Sequence, residues 1–262
     1  MLGDRGYAVI DKESGKIASA KSVKLFPNLL MCSSSYLEPP QRGKEVPPVQ
    51  ITLADGQTIN SDSKNIDKAL SDFFGREVTL ARVAPEDFTI DQFHPDIENL
   101  DPVGHRNMST EEKIGSAYFR ANGVDSPLSP GSFKDLFPVS VITTSTLEKL
   151  HELQPKTDFN IRRFRMNIVI NTDANGFVEN DWEGETITIA NGVSLKIAIP
   201  DPRCVMTTLA QEGISKDNEV LKTLVNHNRP DINDSGKFPC AGIYAMVGKS
   251  GLVRINNNVE RT

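Results

Sequence analysis

Cysteine is scarce in this chain. There are three, Cys32, Cys204 and Cys240, far apart and never in a C-x-x-C pair. That spacing excludes a disulfide framework, a four-cysteine iron–sulfur cluster and a structural zinc knuckle, and it fits a reducing compartment. Histidine is nearly as rare: His94, His105, His151 and His227 show no ligand spacing, so no zinc site is expected from them. No G-x-S-x-G elbow occurs, which removes one route to a nucleophilic serine. Long hydrophobic runs are also missing. Nothing approaches the roughly 18 apolar residues of a membrane span, and the N-terminal MLGDRGYAVIDKESG lacks a signal peptide's apolar core. A net charge of -6 argues against a general nucleic-acid binder. The expectation is a soluble, cytoplasmic protein with no membrane span and no nucleic-acid partner.

What is present is ordinary globular material, 38% hydrophobic and 24% charged, enough for a sizeable core. Residues 1–85 read as mainly β. Gly6-Tyr-Ala-Val-Ile10 is a strand with its turn at Asp11-Lys-Glu-Ser-Gly15, and Val49, Ile51 and Leu53 alternate before an Asp55-Gly56 turn. Ile66, Leu70, Phe73 and Phe74 form one helical face stopped by Gly75. Residues 86–130 are rich in Pro, Asp, Asn, Ser and Gly and read as a long connection over the surface.

Order resumes after that. A strand over 138–143 leads to Ser145-Thr-Leu-Glu148, read as a capping box, with Leu147, Leu150 and Leu153 buried. The backbone N–H groups beside Thr143, Thr144 and Ser145 would form an anion site at this helix start, although an ordinary cap explains the same residues. Phe164-Arg-Met-Asn-Ile-Val-Ile170 is a strand preceded by Arg162 and Arg163, which are expected on a positive rim. For the hairpin over 185–199, register follows the apolar face. A three-residue loop, Ala190-Asn191-Gly192, pairs Ile189 with Val193 and Ile187 with Leu195, with Gly192 left-handed. A helix from about residue 218, capped by Asp217, buries Val220, Leu221 and Leu224. Strands over 242–247 and 252–255 close the chain. The fold class is therefore mainly β with peripheral helices (α+β), a β-barrel core rather than an alternating doubly wound sheet.

One motif imitates a nucleotide site. Gly242-Ile-Tyr-Ala-Met-Val-Gly-Lys-Ser250 has five residues, not four, before its Gly-Lys pair, and strand-like sequence follows it, so a P-loop is rejected. The remaining chemistry centres on Ile199-Pro-Asp-Pro-Arg-Cys-Val-Met-Thr-Thr208. Cys204 sits just past a strand end, after two prolines, of which Pro202 is expected to break the strand, and beside an arginine that would favour a thiolate. A thiolate there is a nucleophile or a soft metal ligand. A buried, space-filling cysteine fits the motif equally well.

Taken in order, GDR, FPVSVITTSTLEKL, RRFRMNIVI, ENDWEG, PDPRCVMTT and GIYAMV resemble the MOSC family, which includes the C-terminal part of molybdenum cofactor sulfurase and the mitochondrial amidoxime reducing component. The resemblance implies a MOSC-type β-barrel over 131–262, preceded over 1–85 by part of the β-rich domain that accompanies it. It implies a molybdenum cofactor (Mo-molybdopterin) with Cys204 as the metal ligand and catalytic centre. Arg5, Ser145, Arg165, Asn167 and Arg203 match family positions associated with the cofactor. Thr144 is added from the helix start, and Asp181 and Trp182 match a family motif without a derived role. The implied activity is reduction of N-hydroxylated small molecules, with electrons from a separate flavoprotein, haem or iron–sulfur carrier. A non-catalytic carrier of the cofactor or of sulfur is the alternative, and a degenerate copy that binds nothing is a third. The family also carries an association with pyridoxal phosphate. Three departures stand out: the family's earlier Lys-Ser strand is not in this sequence, which bears on cofactor affinity; Met166 replaces a common Pro; and Asn256-Asn-Asn-Val259 replaces a Gly-Asp motif.

Overall fold

Alternation and turn chemistry decide the early elements. The structure is a computed structural model that describes residues Met1–Thr262, the Asn191 side chain excepted. Its chain divides into two compact units: Met1–Phe93, Met108–Leu136 and Ala210–Gly213 form the first, and His94–Asn107, Phe137–Leu209 and Ile214–Thr262 the second.

In the first unit, β1 (Ala8–Asp11) turns at Gly15, while β2 (Ser33–Tyr36), β3 (Val49–Thr52) and β4 (Thr58–Asn60) make an antiparallel meander with Gly56 in its second turn. The helix α1 (Ile66–Phe74) packs Leu70, Ile66, Phe73 and Phe74 into a cluster with Phe26, Leu53 and Val78, and Gly75 (φ 64°) ends it. β5 (Val78–Ala81) then pairs antiparallel with β1. All of these except β2, which lies in the polar run Ser33–Tyr36, follow the sequence reading.

The stretch 86–130 does not. It carries β6 (Thr89–His94), β7 (Met108–Lys113), which pairs with it, and α2 (Gly115–Ala121). Phe88, Ile90 and Ala117 are buried, and full burial of such a large apolar side chain contributes about 1.5–3 kcal/mol. The surface-connection reading is therefore corrected. These elements are short and start at irregular residues. α2, for example, begins at left-handed Gly115, where a Cβ would strike the Phe88 ring and the Lys134 carbonyl. Composition alone hides elements of that kind.

The second unit is built on one curled half-barrel sheet. Its members are β8 (Val139–Thr143), β9 (Ile168–Ile170), β10 (Thr186–Ile189), β11 (Val193–Pro202), β12 (Cys240–Lys249) and β13 (Val259–Arg261), in the order β13-β10-β11-β12-β8-β9. The β10–β11 hairpin has the expected register, Ile189 opposite Val193 and Ile187 opposite Leu195, with Gly192 at φ 76°. Helices α3 (Thr144–Leu153) and α4 (Glu219–His227) lie beside the sheet, and α4 buries Val220, Leu221 and Leu224. With α1 and α2 they make an α+β fold that is mainly β.

Four local readings are corrected. The second hairpin strand, β11, does not end at Ile199 but continues to Pro202, the proline expected to break it. It pairs Pro200 with Ile243 and Pro202 with Cys240, through register shifts that accommodate residues without an N–H and bend the sheet. The strand expected from Phe164 begins only at Ile168, because Ile161–Arg163 form a 3-10 turn and Arg165 is left-handed (φ 54°). The last strand is β13 rather than 252–255; Leu252, Val253 and Ile255 are exposed, whereas Val259 packs on the core. Finally, the cap of α3 is Thr143, whose hydroxyl accepts the Thr146 N–H at 3.2 Å, so the capping box at Ser145 does not form.

Candidate functional site

The sheet places the ends of two strands together. β11 and β8 both run antiparallel to β12, which lies between them, so their C-terminal ends share one edge. From those ends leave the turn carrying Cys204 and the turn carrying Thr143 to Ser145.

Cys204 adopts an extended backbone (φ -126°, ψ -174°) immediately before the 3-10 turn Val205–Thr208. Its carbonyl accepts hydrogen bonds from the Thr207 N–H (3.2 Å) and hydroxyl (3.0 Å), which fixes the loop locally. The thiol is half-buried and free. The other two cysteines differ. Burial pushes the Cys32 thiol up, and it pushes that of the fully buried Cys240 up much further, so both stay protonated and unreactive.

Two buried arginines staple this turn to the one before β9, in opposite directions. Arg203 reaches from the cysteine turn and donates to the Phe164 carbonyl, with its guanidinium over the Phe164 ring at 5.7 Å. Arg163 reaches back from the other turn and donates to the carbonyls of Thr207 (3.3 Å), Ser215 (2.7 Å) and Asp158 (2.7 Å). Arg203 is only 7% exposed and pairs with buried Asp201 at 2.5 Å. Burial alone would lower its pKa, but the Asp201 carboxylate, with Tyr244 and Cys204, holds it above the ordinary arginine value. Arg163 has no such partner in contact, and burial draws its pKa down.

The Arg163 finding corrects the rim reading. It is 1% exposed and holds three carbonyls, whereas Arg162 is exposed. No local signal separates the two neighbours, and Asp201 and Glu179 were likewise missed as buried polar groups of this region. Glu179 is fully buried and accepts the Thr143 hydroxyl at 2.7 Å. Burial raises its pKa, against the Thr146 and Thr143 hydroxyls that favour the ionised form.

The remaining expected residues fall into distinct places. Ser145 is buried and donates to the Gly176 carbonyl at 2.6 Å. Thr144 donates to Asn171 Oδ1 at 3.2 Å and accepts from the Thr172 N–H at 3.2 Å. Asn167 ties β9 to β8, accepting the Ser140 N–H at 3.0 Å. Arg165 is exposed at the apex of its turn. Trp182 packs in the sheet's core, with Arg261 over its ring, and Asp181 is exposed. Arg5 belongs to the first unit, where it pairs with Asp135 at 2.5 Å.

A family model for the MOSC domain matches residues 129–260, half of the chain. The chain belongs to the MOSC domain family. No curated protein matches it. MOSC domains are associated at the family level with molybdenum-cofactor binding and with oxidoreductases. The chain's own residues fit that group. Cys204 offers a soft thiolate donor from a stapled turn, and beside it the buried Arg203 Nε has no hydrogen-bond acceptor among the described residues. Arg165 is an exposed cation suited to a phosphate.

Proposed function

We propose that this MOSC domain is a molybdenum-cofactor oxidoreductase that reduces N-hydroxylated compounds, with Cys204 as the protein ligand to the metal. The observation that carries this reading is the setting of Cys204: a half-buried thiol on a turn held by two buried arginines, in a chain whose other thiols are kept protonated by burial. When bound, the cofactor supplies the two-electron chemistry by which an N–OH bond is cleaved, with two protons consumed and water released.

This chain's residues do the binding and positioning. Cys204 would hold the metal. Arg165 and the backbone at Thr144 would hold the pterin's phosphate. Ser145, Asn167, Arg163 and Arg203 keep those turns in place, so that little ordering remains to be done on binding. Electrons come from a separate flavoprotein, haem or iron–sulfur carrier. We read residues 1–85 as part of the β-rich domain that accompanies MOSC, and the protein as cytoplasmic.

The test is reduction of a simple amidoxime by the cofactor-loaded protein with a reduced dye as electron donor. Turnover that disappears in Cys204→Ala supports the reading. Loaded protein that never turns over contradicts it and leaves a carrier of the cofactor.

A further inference from the structure

The four histidines have no ligand spacing along the sequence, but folding brings two of them to one carboxylate. His94 ends β6, and Asp101 and His105 lie in the loop that follows, all in the second unit. His94 Nδ1 is 3.0 Å from Asp101 Oδ2, and His105 Nδ1 is 3.4 Å from the same oxygen. One ligand atom from each residue lies within 4.8 Å of the others. We propose that His94, Asp101 and His105 form a binding site for a divalent transition-metal ion of the zinc type, separate from Cys204.

The spacing fits such an ion. Metal bonds of about 2.1 Å at octahedral or tetrahedral angles set neighbouring ligand atoms about 3.0–3.4 Å apart. The donor set of two imidazoles and one carboxylate suits borderline divalent ions rather than calcium or magnesium, which prefer oxygen.

The carboxylate is also pre-oriented. Asp101 Oδ1 accepts the N–H groups of Gly104 (2.5 Å) and His105 (3.2 Å), a supporting shell of the kind that fixes metal ligands. Its Oδ2, turned toward the two rings, is buried and accepts no hydrogen bond of good geometry. A cation at that point would satisfy it.

The loop itself is fixed. Ile97 and Leu100 pack on Leu221 and Val225 of α4. Asp96 pairs with Arg106 at 2.7 Å across the loop, and the ring of Pro102 lies where a Cβ on Gly236 would fall. His94 is buried and His105 is 30% exposed, so one side of the site is open to water, which would complete the coordination. The ion would clip the segment from 94 to 105 onto the second unit.

The experiment uses the untagged full chain, stripped with a chelator, as wild type and as Cys204→Ser. Zn²⁺ uptake is followed by calorimetry and Co²⁺ uptake by visible absorption. Stoichiometric binding is expected in both proteins, and Co²⁺ should give d–d bands without the sulfur-to-metal charge transfer that a thiolate ligand produces. His105→Ala and Asp101→Asn should each weaken Zn²⁺ by about tenfold or more, with the circular dichroism of the apo protein unchanged. His105→Gln gives the same reading if a variant fails to fold. Absence of stoichiometric uptake by wild type, uptake that Cys204→Ser abolishes, or unchanged affinity in the His105 variants overturns the site and leaves an Asp101 carboxylate bridging two imidazole N–H groups.

Discussion

Cys204 could be chosen from the sequence because of its neighbours, a proline, an arginine and a strand end, but what sets it apart physically lies in groups distant along the chain. Arg163 and Arg162 are adjacent and chemically identical. Only the 3-10 turn at Ile161–Arg163 decides which one points inward, and no periodicity reads a turn of three residues. Glu179 lies inside the motif that carries Trp182, and its burial has no local signal either. Its burial has a measurable consequence. A carboxyl whose pKa is raised by folding binds more protons folded than unfolded just above the ordinary carboxylate range, so stability falls as pH rises through that window. Glu179→Gln removes the titration. Its stability relative to wild type should therefore improve steadily from pH 4 toward pH 7, as read from urea midpoints; curves that stay parallel across that range would contradict the assignment.

At the scale of elements, the hairpin register, the faces of α1 and α4, and the Gly75 stop were all legible, because each rests on a pattern with a fixed period or on one residue's φ preference. The failures share a cause as well. α2, the shortened β9 and the extension of β11 past Ile199 are set by tertiary contacts: Phe88 under Gly115, the left-handed Arg165, and the bulged pairing with β12. Thr143 displaced Ser145 as the cap because its hydroxyl also serves buried Glu179. The reciprocal arginine staples are the element-level device that holds the cysteine turn. A buried carbonyl left without a donor costs about 1–3 kcal/mol; of the three that Arg163 serves, Thr207's is buried, while Asp158 and Ser215 are exposed residues. Arg163→Ala should therefore destabilise the protein by about 1–3 kcal/mol, with looser protection of the Val205–Thr208 amides in hydrogen exchange. A loss below about 1 kcal/mol would mean that water replaces the guanidinium without penalty.

For the whole molecule, the family assignment covers residues 129–260, and the six-stranded half-barrel within that span presents the cysteine turn. The mainly β class was legible from many short apolar runs with turn signals, and the family from the order of the motifs. What the sequence hid at this scale is the two-unit division. The segment 94–107 belongs to the second unit while the strands on either side of it lie largely in the first, an exchange that no composition shift marks. It is also what brings His94 to Asp101 and His105. The central claim concerns one atom, the Cys204 sulfur. It is tested most directly by the molybdenum and pterin content of wild type and Cys204→Ala, produced side by side in a host that makes the cofactor. The account predicts stoichiometric molybdenum in wild type and its loss in a Cys204→Ala protein whose far-ultraviolet circular dichroism matches wild type. Equal metal in both proteins, or none in either, would contradict it.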